Sequence, residues 1–164
     1  MTRSYSPAPL MEALRLPPAE SPMQVLVVIE DDPDVQFLIE SVFAMDSRFC
    51  AADVAESAEV ALEWSAQTTK PGVIVLDQGL SGSLSGLDAA RRLKEVAPFT
   101  KIILFTAHAE LQARAEEEPA VDAFLLKTDA IRLLPLAQRL TWIDRAGLTE
   151  LDSHGELRPT DRPP

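Results

Sequence analysis

The sequence predicts an α/β domain in which a five-stranded parallel sheet is doubly wound, with helices on both faces. Three observations lead there. Apolar runs such as Val73-Ile74-Val75-Leu76 and Ile102-Ile103-Leu104-Phe105 lack polar alternation, the pattern of strands buried on both faces. Segments with apolar residues at helical spacing separate these runs, and a βα series of this kind closes into a parallel sheet through right-handed crossovers. The 164 residues, 46% of them apolar, fill one core and are too few for two ordinary domains.

Residues 1–22, with Pro7, Pro9, Pro17, Pro18 and Pro22, read as a Pro-rich flexible N-terminal arm. Its apolar piece, Leu10 to Leu16, is too short for a stable isolated helix and is either a disordered leader or a docking segment. The domain spans residues 23–145. Val25 to Ile29 form the first strand, which ends in Glu30-Asp31-Asp32. Pro33 suits the first position of a helix capped by Asp32, and Val35, Leu38, Ile39, Val42 and Phe43 give that helix its apolar face. A weaker strand, Phe49 to Val54, leads to a helix from Ser57 with Val60, Ala61, Leu62 and Trp64, broken at Lys70-Pro71-Gly72.

The third strand runs from Val73 into Asp77, and a Gly/Ser-rich loop follows. Leu87, Ala90, Leu93 and Val96 mark a third helix stopped by Pro98. Lys101 to Thr106 is the fourth strand. A short acidic helix around Glu110 to Glu117 is closed by Pro119, and Val121 to Leu126 is the fifth strand, ending in Lys127. The last helix is expected to begin at Pro135, after an irregular turn at residues 128–134, because an interior proline loses a hydrogen bond and clashes with the preceding turn. Residues 146–164 read as a flexible C-terminal tail, and Trp64 and Trp142 as helix packing residues.

A formal charge of −11 with no Lys/Arg run argues against nucleic acid or an anionic membrane as partner. Cys50 is the single cysteine, which excludes an internal disulfide and reads as a small buried hydrophobe. The chain has neither a membrane-length apolar run nor a secretory leader, so a soluble, cytoplasmic protein is expected.

In a doubly wound sheet the strand ends carrying Glu30-Asp31-Asp32, Asp77, Thr106 and Lys127 converge on one rim, where ligands collect. Crowded carboxylates repel one another unless a cation is present, and oxygen-only ligands suit Mg²⁺. A lysine and a hydroxyl beside such a site are what a phosphoryl group needs to have its charge neutralised.

The motifs Val27-Val28-Ile29-Glu30-Asp31-Asp32-Pro33, Val75-Leu76-Asp77, Phe105-Thr106-Ala107 and Phe124-Leu125-Leu126-Lys127 resemble the receiver domain of two-component response regulators, over roughly residues 23–145. The resemblance implies a flavodoxin-like sheet of strand order 2-1-3-4-5. It implies Asp77 as the phosphoacceptor, phosphorylated by a histidine kinase or a histidine phosphotransfer protein. Mg²⁺ would sit on Asp31, on Glu30 through water, on Asp77 and on the backbone carbonyl of Gly79. Lys127 would pair with the phosphoryl oxygens, Thr106 would move to bond them, and Phe124 would be the aromatic switch. Ala107 would keep the approach to Asp77 open, while Asp32 and His108 are possible modulators. Gly79 and His108 flank the path of a hydrolytic water, and His108 is expected to tune the lifetime of the phosphorylated state.

The same residues admit plainer readings. Asp32, and with less support Asp31, can merely cap a helix; Thr106 and Lys127 can be strand termini, Phe124 strand packing and His108 an exposed loop residue. Two positions depart from the family: Ser81 stands where a proline is usual after the phosphoacceptor, in a loop one residue longer, and Thr128 replaces the proline after the lysine. These departures favour the alternative of a non-phosphorylated scaffold or adaptor. A phosphohydrolase acting on small molecules is disfavoured because Gly79 stands where a second carboxylate is needed. The expectation is therefore a stand-alone receiver rather than an enzyme with a separate substrate. Its output would be a protein contact through about residues 108–145, with no DNA-binding or enzymatic domain after residue 145.

Overall fold

The computed structural model describes residues 24–65, 71–146, 149–151 and 157–159. The proline-rich arm lies outside the described residues, as do the side chains of Trp64 and Trp142. Five strands, β1 (Gln24–Ile29), β2 (Phe49–Ala55), β3 (Val73–Leu76), β4 (Lys101–Thr106) and β5 (Ala123–Leu126), pair in parallel in the order β2-β1-β3-β4-β5. This is the predicted doubly wound arrangement. The helices are α1 (Pro33–Phe43), α2 (Ala58–Ser65), α3 (Gly86–Val96), α4 (Gln112–Glu116) and α5 (Leu133–Ala146), with 3-10 turns at Ala109–Leu111 and Lys127–Arg132.

Strand residues alternate between two cores. Leu26, Val28, Val73, Val75, Ile103, Phe105 and Leu125 pack against Ile39 and Phe43 of α1 and Leu133 and Ala137 of α5. Ile29, Ile74, Leu76, Ile102 and Leu104 pack against Ala58 and Ala61 of α2, Leu87, Ala90 and Leu93 of α3, and Ala115 of α4. All of β3 is buried, and each such Val, Ile or Leu contributes about 1.5–3 kcal/mol relative to an exposed position. The small residues on α2 and α3 let these helices approach the sheet closely. The result is a rigid floor under the strand ends.

Several expectations are corrected. The last helix starts at Leu133, so Pro135 falls in its first turn, where backbone N–H groups have no intrahelical acceptor to lose. Residues 127–132 form short 3-10 turns on either side of a kink at Asp129, more regular than the irregular turn expected there. Cys50 is exposed, not buried, because β2 is an edge strand. Leu38 and Val96, assigned to apolar helix faces, are exposed as well. β6 (Thr149–Leu151) and β7 (Leu157–Pro159) pair with each other as an antiparallel ladder. Among the described residues no helix is long and apolar enough to cross a membrane.

Candidate functional site: an acidic rim closed by a lysine

The site is built where β1, β3, β4 and β5 end. The sheet ladder continues one residue past each central strand. Asp77 N–H donates to the carbonyl of Ile29 at 2.9 Å and Glu30 N–H to that of Ala55 at 3.0 Å. Both backbones are thereby fixed before their side chains leave the sheet. Glu30 is 1% exposed and Asp77 7%, so two carboxylates sit in a largely shielded place.

Lys127 compensates for them. It leaves the end of β5 with its Nζ 2.8 Å from Glu30 Oε2 and 3.1 Å from Asp77 Oδ2, reaching across β4 to the ends of β3, two places away in the sheet order, and β1, three places away. Burial pushes the Glu30 carboxyl above the ordinary carboxylate range and the charge of Asp77 adds to this, while the Lys127 ammonium opposes both. For Lys127, burial works downward, but the two carboxylates outweigh it and raise its pKa.

Asp31 is the exposed third carboxylate. One oxygen from each of Glu30, Asp31 and Asp77 lies within 4.8 Å of the others. This set fits Mg²⁺: every donor is a carboxylate oxygen, few are supplied by the protein, and the exposed side leaves room for waters and a phosphoryl oxygen. Asp32 is not part of the cluster. Its Oδ1 caps α1, accepting from Asp34 N at 2.9 Å and Val35 N at 3.4 Å, which is the capping role open to it in the sequence.

Thr106 is fully buried at the end of β4, and its Oγ1 accepts from the His108 N–H at 3.3 Å. It ends β4, which pairs with β3, the strand that leads into Asp77. Phe124, paired with Leu104, is half-buried against the α2–α3 core. Ala107 and His108 are exposed, and His108 Nδ1 lies 3.0 Å from Glu110 Oε1. Gly79 is exposed beside Asp77, and an added Cβ there would lie 3.8 Å from Asp77 Oδ2.

Other residues at the rim carry little signal in the sequence. Gln78 donates its N–H to Asp77 Oδ1 at 2.7 Å, accepts Leu87 N–H on its side-chain oxygen at 3.1 Å and accepts Gly86 N–H on its carbonyl at 3.1 Å. It therefore ties Asp77 to the start of α3. Gly86 is required there, since a Cβ would meet the Asp77 carbonyl oxygen at 2.3 Å. Gln36 Nε2 donates to the Glu30 carbonyl at 2.6 Å, holding α1 to the end of β1. A polar residue after a buried strand was the one available hint for Gln78.

Comparison with known proteins agrees with this geometry. No curated protein sequence matches the chain. Among solved structures, the response regulatory domain of protein mrkE from Klebsiella pneumoniae is 22% identical, with a TM-score of 0.65 over 74% of this chain and 98% of that one. The BeF3-activated DrrB receiver domain is 24% identical, with a TM-score of 0.60 over 72% and 97%. A LuxR-family two-component response regulator from Aurantimonas sp. SI85-9A1 is 20% identical, with a TM-score of 0.66 over 73% and 86%. These likenesses concern the fold. The family model of the response regulator receiver domain matches residues 26–137, the span that carries all five sheet strands and the acidic rim, and the chain belongs to that family.

Proposed function

We propose that the protein is a phosphoacceptor of two-component signalling or a phosphorelay, phosphorylated on Asp77. The observation that carries this reading is the Lys127 ammonium set between Glu30 and Asp77, with Asp31 completing an oxygen-only cluster. Glu30, Asp31, Asp77 and the Gly79 carbonyl would hold Mg²⁺. Bound there, the ion supplies charge neutralisation for the phosphoryl oxygens.

The donor is a phosphohistidine on a histidine kinase or phosphotransfer protein. An Asp77 carboxylate oxygen forms the new P–O bond as the P–N bond breaks, and the imidazole nitrogen keeps the electron pair and takes up a proton. Lys127, already at the site, turns toward the transferred group's oxygens and stabilises the charge there. Thr106 exchanges its bond with the His108 N–H for one to the phosphoryl group, and Phe124 follows by moving into the space vacated at the end of β4. His108 borders the water path and tunes hydrolysis. The chemistry is confined to this self-modification, and a kinase donor implies a cytoplasmic location.

Output through protein contact is supported by a groove of about 510 Å³ between β5 and α5, lined by Phe124, Leu136, Arg132 and Arg139 among others, within residues 108–145. A switch at Phe124 would alter this groove directly.

The test is incubation with Mg²⁺ and a small phosphodonor or beryllofluoride, comparing wild type with Asp77→Asn. Asp77-dependent modification and a conformational change are expected. Their absence would favour the non-phosphorylated scaffold reading, for which Ser81 and Thr128 speak.

A further inference from the structure

The loop that follows Asp77 lacks the usual proline, yet its tip is held by a different device. Glu59, in the first turn of α2, accepts two hydrogen bonds on Oε1, from Ser83 N–H at 3.0 Å and from Ser83 Oγ at 2.7 Å. Its Oε2 is shut away from solvent without a hydrogen-bond partner and faces Gly82. Gly82 has a φ of +149°, and a Cβ there would come within 2.7 Å of that oxygen. The site is shaped for a carboxylate over a glycine. Ser81, standing in the proline position, donates its Oγ to the Glu56 carbonyl at 3.0 Å, a second tie to the segment leading into α2.

We propose that Glu59 is a positioning residue for the phosphoacceptor site, its carboxylate latching the tip of loop 79–85 to α2 and so fixing the backbone of Gly79 beside Asp77. This rests on the phosphoacceptor reading given above. The loop's two ends are pinned by Gln78 and Gly86, but these hold only the base. Between them Leu80 and Leu84 pack against the α2–α3 core, and the exposed tip at Ser81–Ser83 is left to the ties from α2. Glu59 and Ser81 replace the stiffness of a proline with side-chain bonds across 24 and 25 residues of sequence. The Ser83 donors hold the Glu59 carboxyl down to about 2, so the latch is charged throughout the physiological range.

The experiment measures Mg²⁺ affinity by calorimetry, melting temperature, and amide exchange of residues 79–85 in wild type, Glu59→Ala, Glu59→Gln and Ser83→Ala. Loss of a bond to a charged acceptor should weaken Mg²⁺ binding about five- to tenfold in Glu59→Ala, with faster exchange confined to the loop. Glu59→Gln keeps an acceptor for Ser83 and should recover most of the affinity. Ser83→Ala keeps the backbone N–H bond and should fall between. Wild-type Mg²⁺ affinity in folded Glu59→Ala, or in Ser83→Ala should Glu59→Ala fail to fold, overturns the latch while leaving the phosphoacceptor reading intact. Failure of the wild type itself to bind Mg²⁺ overturns both.

Discussion

Glu30 and Asp77 leave the ends of buried central strands and Lys127 the end of the part-buried edge strand β5, whereas residues 79–85 cross the same rim as a largely exposed loop tied to α2 by side chains. In the first region, position is set by the sheet ladder, which carries Asp77 N–H onto Ile29 and Glu30 N–H onto Ala55. Orientation there is a by-product of the core. In the second, Leu80 and Leu84 rest on the core, and the exposed tip between them depends on a few polar contacts, each replaceable and each worth about 1 kcal/mol. The charged machinery can therefore stay constant while the loop beside it is rebuilt.

The largest expected effect breaks the strand-end region. Lys127→Ala leaves the buried Glu30 carboxylate facing Asp77 without its cation, and should cost about 3 kcal/mol or more in urea unfolding. Adding Asp77→Asn removes the repulsion and should recover part of the loss. A single variant as stable as wild type would mean that charge pairing does not hold the rim together.

Gly86→Ala attacks the joint between the two regions. The new Cβ would press on the backbone of Asp77 and Gln78, which cannot swing aside, and a loss of about 2 kcal/mol is expected by thermal or chemical unfolding. A neutral result would show that the loop base is freer than its hydrogen bonds suggest.

Two adjacent carboxylates sharpen the distinction between structure and chemistry. Asp32→Ala removes the α1 cap and should lower stability by about 1 kcal/mol while keeping Mg²⁺ binding. Asp31→Ala should do the reverse, abolishing Mg²⁺ binding with little change in unfolding. Equal effects in both assays would erase the assignment of separate roles.

The smallest effect concerns pH. The Glu59 carboxyl is held below its ordinary value of 4.5, at about 2, so the folded state prefers the ionised form. Its contribution to loop order is fully present above pH 4.5 and is lost as pH falls toward 2. Amide exchange of residues 79–85, corrected for intrinsic rates, should show constant protection at neutral and mildly acidic pH. A loosening between pH 5 and 7, well above that window, would contradict this.

The strand-end region was legible in the sequence because burial on both faces leaves a continuous apolar run, and the polar residue ending each run marks a rim position. Glu30, Asp77 and Thr106 announce themselves in this way, and Lys127 ends the short apolar run of the edge strand β5. The loop was legible only as a departure. Nothing at Glu59 distinguishes it from any acidic residue in a helix's first turn, and its partner Ser83 lies 24 residues away. Pro135 misled for a related reason: its chemistry forbids a helix interior but permits a first turn, and the 3-10 turn at Lys127–Arg132 supplies the entry. Cys50 and Leu38 show the third limit, since exposure depends on which strand lies at the edge and on where a helix faces.

The central claim is that Asp77 accepts a phosphoryl group with the help of this rim. Intact-mass measurement after incubation with Mg²⁺ and a small phosphodonor tests it most directly. The expected result is the mass of one added phosphoryl group on the wild type, none on Asp77→Asn, and none when Mg²⁺ is chelated. An unmodified wild type under conditions where a control receiver is phosphorylated, or equal modification of Asp77→Asn, would contradict it.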